Sequence, residues 1–219
     1  QFAYWAPAQV IAAFSQRSML EPEVARVRNG MVTCDDFRFV RLWWEVPRDT
    51  IAMDKRWCLF AKGGDYSPYT AALRLVVNWN LDGREVIAFG ENVGNAARAR
   101  QSSSFYFRRG ITYPGRTTSG FGPRGLPSGV IFSHKGMSVF TNEDSDLEYV
   151  LGVLMSRPAR ALIELMIGSG DAVESGSAAR EYSTGIIATL PWPVLSVAQR
   201  QQIATLTSTI TKELETLAA

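Results

Sequence analysis

The sequence is poor in the residues from which most active sites are built. Its 219 residues include a single histidine, His134, and two cysteines, Cys34 and Cys58. A Ser-His-Asp triad could run only through His134, and a histidine-based metal site is excluded. His134 stands beside Lys135 in a predicted turn between two strands, where a polar turn residue is the simpler reading. The cysteines have neither metal-ligand spacing nor the count of a disulfide framework, so they read as buried thiols of a reducing cytoplasm. No apolar run reaches the ~18 residues needed to span a bilayer. The opening Gln1-Phe2-Ala3-Tyr4-Trp5 has no initiator Met and no basic-then-apolar signal pattern. These absences lead to the expectation of a piece of a longer, soluble, cytoplasmic protein without a membrane partner.

Acidic residues are missing from one stretch in particular. Between Asn92 and Asn142 there is no Asp or Glu, while Arg98, Arg100, Arg108, Arg109, Arg116, Arg124 and Lys135 give it seven positive charges. The formal net charge of the whole chain is only +2, so the remainder is net acidic. Such segregation attracts phosphates and releases their counterions, which makes a polyanion the first candidate partner. Glycine-rich loops can also shed acids without any ligand, and that is the plainer alternative.

Hydrophobic content of 46% allows a substantial core, as one large domain or one domain with a helical appendage. No internal repeat or separating linker is visible. Val10, Ile11 and Phe14 predict a helix over Pro7 to Arg17. Strands are predicted at Phe37 to Val46, at Trp57 to Ala61, and at Leu73 to Trp79 with its alternation, all three read as half-buried. Asp82-Gly83 predicts a tight turn, followed by strands at Phe105-Tyr106-Phe107, Val130-Ile131-Phe132 and Met137 to Phe140. Pro114 to Gly129, rich in Gly, Pro, Ser and Thr, reads as a long loop without an element of its own. After Asn142 the spacing becomes helical. In the last helix Ser196 and Gln199 form a capping-box pattern ahead of Ile203, Leu206, Ile210, Leu214 and Leu217. The fold class is α+β, with a mainly β core over residues 1–145 and a helical supporting region over 146–219.

Catalytic patterns are weak. Asp35-Asp36 and Glu143-Asp144 could hold Mg²⁺ for phosphodiester cleavage, but neighbours on a strand point to opposite faces, so each reads as a solvated loop acid. Glu164, Gly168, Gly170 and Asp171 mimic a nucleotide-binding turn, yet they follow a helical segment, Ala159 to Met166, rather than a strand. Gly168 is better read as a helix C-cap. Neither Asn-Pro-Pro-Tyr nor Asp-Pro-Pro-Tyr, with which amino-methyltransferases hold a flipped base, occurs. Binding chemistry remains: arginines among Tyr66, Tyr69, Tyr106, Tyr113 and Phe121, hydroxyls at Thr117, Thr118 and Ser119, the amide of Asn92, and Lys62-Gly63-Gly64 with backbone free to approach a ligand. Core packing is the alternative for the strand aromatics.

Longer segments carry a family resemblance. Phe2-Ala3-Tyr4-Trp5, Gly30 to Asp36 with Phe39-Val40-Arg41, and Leu42 to Val46 come first. Next are Trp57 to Tyr66 through Lys62-Gly63-Gly64, Val76-Val77-Asn78-Trp79 and Asp82-Gly83. Arg108 to Tyr113, Gly129 to Phe132, Tyr149 to Ser156 and Leu190-Pro191-Trp192-Pro193 complete the set. In this order they resemble the C-terminal target-recognition region of PglX-type methyltransferases of BREX defence and the related single-chain type IIG restriction-modification enzymes. Cys34 stands where the family has Gly, Asp36 where it has Asn, and Ser67-Pro68 interrupts a stretch that is usually basic and aromatic.

The resemblance implies a recognition fragment, not itself an enzyme, that selects the duplex DNA site for an N6-adenine methyltransferase. That parent would bind S-adenosylmethionine, and this fragment would bind no cofactor or metal. Expected DNA contacts are Lys62, Tyr69, Arg108, Arg109, Arg116, Thr118, Ser119, Arg124 and Lys135. Arg116 and Arg124 are expected at bases or in a groove, and Lys62, Arg108, Arg109 and Lys135 mostly at phosphates. Partners implied are double-stranded DNA, the parent's catalytic domain and other defence subunits. The rival reading is a protein-interaction module that docks those subunits.

Overall fold

The computed structural model describes residues 7–15, 18–167 and 179–218. Phe2 to Trp5, Arg17, and the Gly168, Gly170 and Asp171 group lie outside the described residues. The strands are β1 (Ala25–Arg28), β2 (Val40–Leu42), β3 (Trp57–Ala61), β4 (Leu75–Asn78), β5 (Gly110–Pro114), β6 (Arg116–Thr117), β7 (Arg124–Leu126), β8 (Val130–Phe132), β9 (Gly136–Thr141) and β10 (Arg180–Glu181). The helices are α1 (Ala8–Ser15), α2 (Leu20–Glu23), α3 (Asp36–Phe39), α4 (Asn80–Asn92), α5 (Ala96–Ala99), α6 (Leu147–Met155), α7 (Arg157–Ile167), α8 (Thr184–Ala188) and α9 (Val197–Ala218). The class is α+β.

Two four-stranded sheets organise the chain. One has the order β1-β9-β5-β7 and is antiparallel throughout. The other has the order β2-β4-β3-β8, with β3 and β8 parallel. The first sheet shares its core with the C-terminal helices: Ile111 and Val139 pack with Val150, Leu154, Ile163, Ile187 and Trp192. The second encloses Phe39, Cys58, Phe60, Val77, Trp79, Val86 and Phe132. Burial with Asp54 nearby pushes the Cys58 thiol up to about 12, and both cysteines are free.

Short apolar runs became strands where sequence periodicity predicts them, at β3, β8 and β9. Other expectations change. Within Phe37 to Val46 only β2 is extended. Asp35 accepts the Arg38 N–H and starts α3 instead, and Glu45 accepts the Leu42 N–H to wind Trp43–Glu45 into a 3-10 turn. Strand β4 is buried on both faces rather than one, because Val76, Val77 and Asn78 lie in the middle of the sheet. The turn at Asp82-Gly83 is present, with positive φ at Leu81, Asp82 and Gly83, but it opens α4 rather than a hairpin.

Phe105-Tyr106-Phe107 is not a strand. Ser103–Phe105 is a 3-10 turn, and Phe107 has φ of 65°. The aromatic rings act as core plugs, with Tyr106 5.4 Å from Trp79 and 5.6 Å from Phe132 and Phe105 5.0 Å from Phe140, centroid to centroid. The Pro114 to Gly129 segment holds β6 and β7 rather than being without elements. With α4 and α5 against the second sheet, the first two thirds are less purely β than expected.

The last helix begins as predicted. The Ser196 N–H donates to Gln199 Oε1 at 2.9 Å, and the Gln199 N–H returns to Ser196 Oγ at 3.3 Å. Its packing stripe is set by Thr207, which sits on Gly152 of α6. A Cβ at Gly152 would lie 2.3 Å from Thr207 Oγ1 and 2.6 Å from Ile203 Cγ2. Leu206, Ile210 and Leu217 therefore face outward. Gly152→Val should overpack this crossing and lower stability by about 1–3 kcal/mol in urea denaturation. An unchanged midpoint would show that α6 and α9 separate freely.

Candidate nucleic-acid interface

The candidate site begins where β3 runs out. Gly63 and Gly64 follow Lys62 with φ of 76° and 97°, in the left-handed region that favours glycine. A Cβ at Gly63 would stand 2.7 Å from the Lys135 carbonyl oxygen, and one at Gly136 would stand 2.6 Å from Gly63 N. The Lys62 loop is thus pressed onto the turn between β8 and β9. On its other side the Tyr69 N–H donates to the Pro123 carbonyl and the Gly125 N–H to the Tyr69 carbonyl, each at 3.0 Å. Arg124 reaches back from β7 and donates to the carbonyls of Asp65, at 2.8 Å, and Gly63. Arg160 of α7 adds bonds to Tyr66 Oη and to the Phe121 carbonyl. The two loops singled out in the sequence are one hydrogen-bonded unit.

Lys62 Nζ pairs with the Asp36 carboxylate, which also accepts from Thr33 Oγ1 at 2.5 Å. Burial alone would raise the Asp36 pKa, but the bonds from Lys62 and Thr33 and the charge of Lys135 outweigh it and hold the carboxyl below its usual range. Asp35 caps α3 rather than lying free in a loop, and Asp36 is solvent-exposed as expected but also grips Lys62. His134 Nδ1 lies 3.4 Å from the Met31 carbonyl. Burial lowers its pKa, and Lys135, Arg98 and Lys62 lower it further against the Met31 hydrogen bond, so the imidazole is neutral at physiological pH. Backbone contacts bring the three segments together: Gly63 lies against the Lys135 carbonyl, the His134 N–H donates to the Met31 carbonyl and the Val32 N–H to the Arg98 carbonyl, so Lys62, Arg98 and Lys135 belong to one basic region. Lys135 and Arg98 are exposed.

The structure therefore unites some predicted residues and separates others. Lys62, Tyr69, Arg124 and Lys135 belong to the united loops. Arg124 is only 5% exposed and turned inward, so it holds the loop rather than reaching toward a groove. Arg116 is exposed opposite Glu181 in the β6–β10 pair, and Thr118 and Ser119 are exposed just beyond it, with the Ser119 N–H donating to Thr117 Oγ1. Arg108 and Arg109 lie before the other end of β5, whose five residues span roughly 13 Å. Arg108 covers the Phe105 and Phe140 rings, and Arg109 pairs with Glu148. Arg98 and Asp36 join the patch without having been singled out as contacts. The acid-free stretch contained Arg98, but only the unpredicted α5 and the Val32 N–H bonded to the Arg98 carbonyl bring it there.

Beneath the Lys62 loop lies a cleft of about 460 Å³, walled by Phe60, Tyr66, Leu75, Thr112 and Arg124 among others. No group of three or more His, Cys, Asp and Glu side chains that could hold a metal is found among the described residues. No described helix is long and apolar enough to cross a membrane.

The chain is similar to the adenine-specific methyltransferase PglX of Lacticaseibacillus casei (strain Zhang), with 27% identity over 174 residues, 75% of this chain and 14% of that protein. It is also similar to the adenine-specific methyltransferase BrxX of Escherichia coli O9:H4 (strain HS), with 28% identity over 151 residues, 66% of this chain and 12% of that protein. These matches mark homology to adenine-specific methyltransferases over about one seventh of their length or less. No protein-family model matches.

Replacing Arg124 by Met should keep most of the side-chain volume while leaving the Gly63 and Asp65 carbonyls without their donor. A loss of about 1–3 kcal/mol is expected, together with faster amide exchange across 62–70. Wild-type exchange in that segment would show that Arg124 does not hold the loop.

Proposed function

We propose that this chain is the DNA target-recognition part of an N6-adenine DNA methyltransferase of a bacterial anti-phage defence system, BREX-like or type IIG, and that it performs no chemistry itself. Support comes from one observation above all: Lys62 and Lys135 meet at a two-glycine loop whose backbone is fixed, with the Arg98 segment bonded to the neighbouring Val32, in a chain homologous to PglX and BrxX methyltransferases. A rigid, cationic, close-approach loop suits a duplex backbone, where phosphate contacts fix register before bases are read.

Lys62 and Lys135 are assigned to phosphates, with Arg98 beside them. Arg116, Thr118 and Ser119, exposed on an adjoining hairpin, are assigned to the groove, and Arg124 and Tyr69 to positioning. Arg108 and Arg109 touch phosphates only if the duplex extends past the far end of β5. S-adenosylmethionine and the flipped adenine would be held by other parts of the parent protein, in keeping with the absence of an Asn/Asp-Pro-Pro-Tyr segment here. The exposed stripe of Leu206, Ile210 and Leu217 on α9 suits contact with that catalytic part. It is also what favours the second reading, a module that docks other defence subunits.

Asp36 gives the patch a built-in restraint. Lys62 must exchange its carboxylate for a phosphate on binding, so contact at Lys62 is won only where a phosphate is well placed. In a salt series with duplex DNA, Lys62→Ala with Lys135→Ala should lower affinity for every sequence and reduce the logarithmic salt slope by about 2. No wild-type binding at low salt, or an unchanged slope in the double variant, would favour the docking-module reading.

A further inference from the structure

Phe37 is 95% exposed, the most exposed of the large apolar side chains among the described residues, and nothing in the fold requires an aromatic there. Its neighbours are held firmly. Two residues on, Phe39 is fully buried against Phe89 at 5.5 Å, and Arg38 lies over both rings at 5.3 and 5.2 Å. Asp35 caps the turn, and Arg41 donates to the Phe37 carbonyl itself. A bare ring thus stands on a rigid backbone. The residue before it, Asp36, grips Lys62, so in the chain the exposed ring directly follows the carboxylate that pairs with the basic patch.

Resting on the DNA-binding reading above, we propose that Phe37 is a wedge that stacks into a base step of the bound duplex. An apolar side chain that enters a base step partly unstacks it and kinks the helix. The cost is repaid by ring-on-base contact and by the wider surface that the bend brings to the protein. Charge complementarity selects the occupant. A protein surface could cover an exposed ring, but Arg38 and Arg41 on the same segment and Lys62 on the adjacent Asp36 would draw a phosphate backbone to the same place. Rigidity matters because a wedge on a mobile loop would turn aside rather than separate stacked bases.

The test uses duplexes carrying 2-aminopurine at successive positions, whose emission rises when the base is unstacked. Wild-type protein should raise emission at one or a few positions. Phe37→Ala should abolish that rise and weaken binding by about tenfold, leaving the salt slope and the denaturation midpoint unchanged because the ring is exposed. Phe37→Leu, still a wedge, should keep some of the rise. If the wild type binds DNA with a steep salt slope and Phe37→Ala matches it in emission and affinity, the wedge alone is overturned. If Phe37→Ala binds DNA like the wild type but loses a partner protein, the ring is a protein contact and the wedge is again overturned. If the wild type does not bind duplex DNA, the wedge and the reading beneath it fall together.

Discussion

A buried guanidinium joins the two halves of the β structure. Arg124 belongs to β7 in one sheet, and its hydrogen bonds end on the loop that leaves β3 in the other. Burial disfavours its charge and the Asp65 carboxylate favours it, but an arginine in a protein stays protonated. A permanent cation inside must be satisfied by fixed acceptors, and here they are the carbonyls of Gly63 and Asp65. That requirement sets the path of Lys62 to Tyr69. The path in turn lays Gly63 against the Lys135 turn and brings Lys62 within reach of Asp36.

The surface that results is basic in place rather than in total. Its cations, Lys62, Arg98 and Lys135, come from three separate segments, and the Asp36 carboxylate pairs with Lys62. The carboxylate occupies Lys62 in the free chain, and the buried arginine holds the loop that carries it. Arg116, Thr118 and Ser119 lie in the connection between β5 and β7, which is tied to the same unit through the Gly115 N–H and the Lys135 carbonyl, at 3.0 Å. A basic patch and the exposed polar side chains of Arg116, Thr118 and Ser119 are thus linked in a chain whose relatives are adenine-specific methyltransferases.

Much of the secondary structure was legible where one force decides it. Trp57 to Ala61 and Val130 to Phe132 are short apolar runs that only an interior strand can use, and Ser196 with Gln199 announces a helix start by its own bonds. Phe105-Tyr106-Phe107 misled because aromatics serve a core plug as well as a strand, and the positive φ of Phe107 is a tertiary choice. Helix α4 was hidden behind Asp82-Gly83, which signals a turn but not the helix beyond it. Arg124 shows the limit for sites. Its partners lie 59 and 61 residues away and are backbone carbonyls, so no side-chain pattern could tell this inward arginine from the outward Arg116. Arg98 is counted in the acid-free stretch, but its place near Lys135 was not legible, since it depends on a helix that composition did not reveal.

The most direct measurement is amide hydrogen exchange of the chain with and without duplex DNA. If the Lys62 face is the interface, slowing should concentrate in residues 31–37, 62–70 and 133–136, leaving the exposed face of α9 at its free rate. Slowing confined to α9, or none anywhere under conditions where the duplex is bound, would contradict the account.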